Sequence, residues 1–180
     1  MADKKKILSV VMTVFVFTVC FCAPAFALMV GLSTEKLTRD AALVVTGSVE
    51  DTVSQWTPDK KSIVTIAVIN VEQYIKGTSA QKKIQVMHMG GQVGDLVMAV
   101  SDEAPLKKGE RVLLFLSPEK ELSGGAACKI EGRAQGKYAI GEDGIARKWG
   151  FSVDAVNEQM DNTIHIEKLT EKIRKYIDEK

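Results

Sequence analysis

The chain has 180 residues, 24 Lys and Arg against 23 Asp and Glu, and 46% hydrophobic residues. A length of this order suits one domain, and the apolar content excludes a disordered or low-complexity chain. A formal charge of +1 lacks the basic excess of a nucleic-acid-binding domain.

Met1 to Lys6 is a short positive leader, and Ile7 to Cys22 follows without a charge. Ala23-Pro24-Ala25-Phe26-Ala27 then places small residues at the −3 and −1 positions of a cut after Ala27. Positive leader, apolar stretch and A-x-A ending are the parts of a secretory signal peptide. The alternative is an uncleaved membrane anchor over residues 7–32, since about 20 apolar residues span a bilayer. Without residues 1–27 the chain keeps 21 bases and 22 acids, and Cys128 is its one cysteine. An exported domain of this kind must fold without an internal disulfide.

Ser33 is placed to cap a short helix that continues through Lys36 and Leu37. Ala41 to Val49 is a continuous apolar strand, with Gly47 marking a bend or bulge. Thr57-Pro58-Asp59-Lys60 carries turn chemistry, followed by a long Ile- and Val-rich run from Ser62 to Tyr74 that Lys76-Gly77 breaks. Lys83 to Met89, Leu96 to Val100 and Arg111 to Leu116 are the next strands. Ala126 to Ile130, Gly136 to Ile140 and Ile145 to Trp149 are shorter ones. Between them, Gly90 to Gly94 and Pro105 to Glu110 are turns. Closely spaced strands without intervening helices indicate a sandwich or barrel. At the end the period changes. Leu169, Ile173, Tyr176 and Ile177 make one apolar stripe on a helix whose other faces are charged, as expected for a helix packed on the strands.

The order Leu37-Thr38, Ala42 to Val49, Trp56, Val71 to Gly77, Gly90-Gly91, Gly94, Gly109 to Leu116 and Gln135 to Tyr138 resembles a group of small exported bacterial and archaeal proteins of unassigned function. More loosely, it is similar to the netrin-like modules that include the tissue inhibitors of metalloproteinases. The latter resemblance implies a mainly β fold: an OB-like closed or partly open antiparallel barrel, with a short N-terminal helix and a C-terminal amphipathic helix. The inhibitory edge of those modules is a disulfide-tied N-terminal Cys. The mature start here is Leu28, with no Cys near, so inhibition does not carry over and no site residue is transferred. The implied organisation is a signal peptide over 1–27, a barrel over 28–152 and a helical segment over 153–180.

Chemistry-bearing motifs are sparse. Met87-His88-Met89 is the one string suggesting a metal, because thioether and imidazole suit Cu(I). On a strand, however, Met87 and Met89 share a face and His88 takes the other. Gly90 to Gly94 lacks the spacing and the following helix of a phosphate loop. Asp102-Glu103 is read as a solvated turn, His165 as a peripheral residue near a helix start, and Cys128 as a small hydrophobe in a strand. OB-like barrels stack ligands on aromatics, which selects Trp56 and Trp149 as candidate ligand-binding residues. The expectation is an exported, non-enzymatic binding or interaction module with no cofactor. Its partner would be a protein or small ligand outside the cytoplasm, with nucleic acid disfavoured and membrane contact only through an uncleaved leader. The alternatives are a secreted enzyme using Cys128 or a His, and a periplasmic copper-binding protein using Met87 and Met89.

Overall fold

The computed structural model describes residues 31–119, 127–149 and 161–179; the leader and both cysteines within it lie outside these. The described chain is mainly β. A helix α1 (Thr34–Asp40) precedes the strands β1 (Leu43–Trp56), β2 (Ile63–Lys76), β3 (Lys83–Met89), β4 (Gly91–Val93), β5 (Leu96–Met98), β6 (Arg111–Glu119) and β7 (Ala127–Ile130). A single 3-10 turn (Arg133–Gly136) leads to β8 (Lys137–Ile140), β9 (Ile145–Lys148), β10 (Thr163–His165) and a helix α2 (Ile166–Asp178).

Local chemistry accounts for the helix ends. Ser33 Oγ accepts the Lys36 amide at 3.2 Å, capping α1 as its sequence position predicts. At the other end, the Lys76 ammonium donates to the carbonyls of Thr38, Arg39 and Ala41 at 2.5–3.1 Å. A cation there meets the negative end of the helix dipole and satisfies carbonyls left over by the helix. Gly77 follows at φ +72°, a conformation that L side chains rarely adopt. The Lys-Gly pair closing β2 is therefore both a turn and a cap for α1.

β1 pairs antiparallel with β2 on one side and with β6 on the other. β2 pairs with β3, and β6 with β7, also antiparallel. β3 and β7 run parallel, with Val86 opposite Cys128, and complete a ring of five strands. The parallel pair departs from the all-antiparallel expectation for a simple reason: an odd number of strands closing on itself cannot alternate direction throughout. From β6, β8, β9 and β10 continue outward, antiparallel.

Alternation along β1 and β6 separates two cores. Val45, Val49, Val112, Leu114 and Leu116 point to one cluster, with Ile69, Ile84 and Val86. Val44, Leu113 and Phe115 point to the other, where Leu37 of α1 and Leu169 and Ile173 of α2 are fully buried. Both faces of these strands are thus covered, which is why they read as unbroken apolar runs. The apolar stripe of the last helix packs as its periodicity predicts. At Gly47 the β1–β2 register shifts, and an added Cβ would collide with the Asn70 carbonyl oxygen. The expected bulge is there.

Several boundaries differ from the sequence expectation: β6 runs on through Pro118 to Glu119, and β4 lies within the segment read as a Gly90 to Gly94 turn. β1 runs on to Trp56, because its second half is a solvated hairpin arm held by pairing to β2 rather than by burial. The strand expected over Leu96 to Val100 is three residues long, in a hairpin with β4. Residues 163–165, assigned to the helical tail, form β10 before α2 begins.

Candidate functional site

The β3–β7 ladder stops at Met87 opposite Lys129. Beyond it the two strands diverge, leaving a cleft of about 460 Å³ lined by Met87, His88, Met89, Glu103, Glu119, Lys129, Glu131, Arg133 and Gln135. A smaller pocket of about 220 Å³ continues past Met89 beneath the β4–β5 hairpin and shares His88, Met89 and Glu103. Gly90 and Gly91, at φ +89° and +134°, turn the chain between the two. Gly91 also lets β4 approach β1, since a Cβ there would strike the hydroxyl oxygens of Ser54 and Thr65.

The charges around the cleft are mostly held by one another. Arg133 pairs with Asp102, Lys129 lies 3.5 Å from Glu119, and the Ser117 hydroxyl donates to Glu131. Gln135 Oε1 accepts the Leu32 amide at 2.6 Å, tying the first described residues to the cleft wall. Glu103 is half-buried, and burial pushes its carboxyl above the ordinary range. The turn read from the sequence at Asp102-Glu103 is present, but it is only partly solvated. One residue holds an arginine and the other faces the cleft.

His88 is 6% exposed. Its Nε2 accepts the Leu106 amide at 3.4 Å, which places the ring proton on Nδ1, 3.0 Å from the Met89 carbonyl it donates to. Burial, aided by the nearby Lys137 charge, keeps its pKa below the usual 6.5. The ring is neutral, with both nitrogens engaged.

A buried ion pair lies behind it. The Lys137 side chain is 1% exposed, with Nζ 2.7 Å from Glu110 Oε2 and 2.6 Å from the Pro105 carbonyl. Burial pushes the Lys137 pKa down against the pull of Glu110. The Trp149 ring covers this ammonium at 5.2 Å.

The residues singled out from the sequence are dispersed. Trp56 ends β1 at 38% exposure, and Trp149 follows β9 at 39%; the cleft is lined by neither. Cys128 is half-buried on β7, and burial pushes its thiol upward. His88 sits two residues along the neighbouring strand from Val86, the partner of Cys128, but both its nitrogens go to backbone groups. His165 occupies the α2 cap position without a side-chain cap bond, 3.8 Å from Glu167. Met87, His88 and Met89 all border the cleft. Among the described residues no group of three or more His, Cys, Asp or Glu is spaced for a metal. Glu131, Arg133 and Gln135 were not selected from the sequence, because nothing local marks the point where a parallel ladder ends.

The chain matches neither a family model nor a curated protein.

Proposed function

We propose that this chain is an exported, non-enzymatic binding module on an OB-like barrel, with the cleft between the diverging ends of β3 and β7 as its ligand seat. The five-stranded ring, with β1 paired on both edges, supports the barrel reading. The leader over residues 1–27 supports export. The observation that carries the function is the cleft itself: a preformed concavity of about 460 Å³ in which thioethers and a few placed polar groups converge.

Hydrogen bonding favours binding over catalysis. A general base needs a free lone pair within reach of its nucleophile, and the lone pair of His88 Nε2 accepts the Leu106 amide. The same bond withholds the imidazole from a copper ion near Met87 and Met89. Cys128, with its thiol pushed upward, is poorly ionised at neutral pH.

The test is a fragment screen against the ¹⁵N-labelled protein recovered from an exporting host. Shifts concentrated at the Met89, Gly132 and Gln135 amides, lost in a Met89→Glu variant with an otherwise unchanged spectrum, are the expected result. Fragments that bind only elsewhere, or turnover of any of them, would overturn it.

A further inference from the structure

We infer that the cleft takes an extended, basic polypeptide segment, added as a strand against the open end of β3 with a cationic side chain beside Glu103. This rests on the reading of the cleft as the ligand seat and names what occupies it.

The backbone supplies the first argument. Gly90 donates its amide to Ile63 of β2, so in a pleated strand the even-numbered residues of β3 turn their amides to β2 and the odd-numbered ones to β7. The ladder with β7 ends at Met87. The next amide on that side belongs to Met89, a residue of the cleft lining that has no paired strand opposite among the described residues. An incomplete ladder with a cavity where its continuation would run is the geometry for strand addition, in which main-chain bonds give affinity and alternate side chains give selection.

Charge supplies the second. The cleft lining carries Glu103, Glu119 and Glu131 against Lys129 and Arg133, an excess of one acid among the described residues, and Asp102 pairs with Arg133 beside it. Both bases are already paired. Glu103, half-buried and pushed by burial above the ordinary carboxyl range, makes no direct ion pair among the described residues; the nearby Arg133 charge that favours its carboxylate is bonded to Asp102. A lysine or arginine there would replace lost hydration with a charge partner. The same excess repels phosphates, which disfavours nucleotides and nucleic acid.

The third is shape. Met87 and Met89 are adaptable apolar contacts for neighbouring side chains. The smaller pocket beyond Met89, bordered by Met98 and Pro105, extends the track past the first cleft.

The experiment titrates the ¹⁵N-labelled full mature protein with three capped peptides: Ac-Thr-Val-Lys-Val-Thr-NH₂, the same with Glu at the centre, and the Lys peptide with both valine amides N-methylated. The Lys peptide should shift Met89 and Gly132 and bind about tenfold more tightly than either control. In Glu103→Gln, and in Glu131→Gln should the first variant fold poorly, the Lys-over-Glu preference should shrink to about threefold or less. Equal binding of the three peptides overturns the inference. So does silence from all of them while a non-peptide fragment shifts the same amides, and in that case the cleft remains a ligand seat. If no probe of either class reaches those amides, the reading of the cleft falls as well.

Discussion

The Leu106 backbone amide lies 3.4 Å from His88 Nε2 and donates to it, fixing a buried imidazole in its neutral Nδ1–H form. Protonation would remove this acceptor and place a second cation near Lys137. Burial, aided by the Lys137 charge, holds the folded-state pKa below 6.5, and the unfolded chain binds the proton more readily. Stability is present in full above about pH 6.5 and falls as pH drops from there through the folded pKa, at up to about 1.4 kcal/mol per pH unit. Urea unfolding at pH 7.5, 6.5 and 5.5 should show this slope in the wild type and a shallower one in His88→Gln. Parallel slopes would exclude His88 as the source.

The Lys137–Glu110 pair should respond asymmetrically to mutation. Glu110→Gln strands an ammonium that is 1% exposed, whereas Lys137→Met leaves a carboxylate that is 20% exposed and can turn to water. The first should cost about 2–4 kcal/mol and the second about 1–2. Chemical denaturation checks the order. A Lys137→Met variant less stable than Glu110→Gln would mean that the Lys137 stem contributes more by packing than its charge costs.

Lys76 holds three carbonyls at the end of α1. Lys76→Met keeps the apolar stem and removes the charge-assisted bonds, for an expected loss of about 1–3 kcal/mol. Hydrogen exchange should locate the loss, with faster exchange in Leu37 to Ala41 than in β6. Uniform acceleration would show that Lys76 acts on the whole ring rather than on the helix end.

These residues mark what the sequence does and does not disclose. Ser33 and the Leu169–Ile173 stripe act through neighbours within a few positions or a fixed period, and Gly47 stands out as a glycine inside an apolar strand, so their roles are legible in the string. Lys76 was visible as half of a turn, but not as a cap for a helix some 35 residues earlier. Lys137 looked like any polar strand residue, because its burial depends on Pro105, Glu110 and Trp149 arriving from separate segments. The strands were legible wherever burial made them apolar. β4 and β10, at three residues each, leave too short a pattern. The cleft was the least legible feature, being the end of a ladder between strands about 40 residues apart. Trp56 and Trp149 were chosen by residue type, and type alone does not place two side chains at one site.

The leader makes a prediction independent of the fold. Protein secreted by an exporting host should begin Leu28-Met29-Val30 on N-terminal sequencing, cut after Ala27. Replacing Ala25 and Ala27 by Gln should block the cut and hold the chain in the membrane fraction, because the −1 and −3 positions accept small side chains. Wild-type protein retained with Met1 intact would identify residues 7–32 as an anchor.

Cys128 tests the non-enzymatic reading from the other side. Its thiol is half-buried and pushed above its ordinary value of 9.0 by burial, and the thiolate is the reactive form. In the native protein, iodoacetamide should modify it about tenfold or more slowly than a small free thiol at pH 7.5. The rate should rise towards the small-thiol value in urea, once burial is lost. Cys128→Ala should leave ligand shifts at Met89 and Gly132 unchanged and cost about 1 kcal/mol of stability, as expected for trimming one small, partly buried side chain. A native thiol that reacts faster than the free one would mean that a positive group stabilises its thiolate, and the alternative of a cysteine-dependent enzyme would then take precedence.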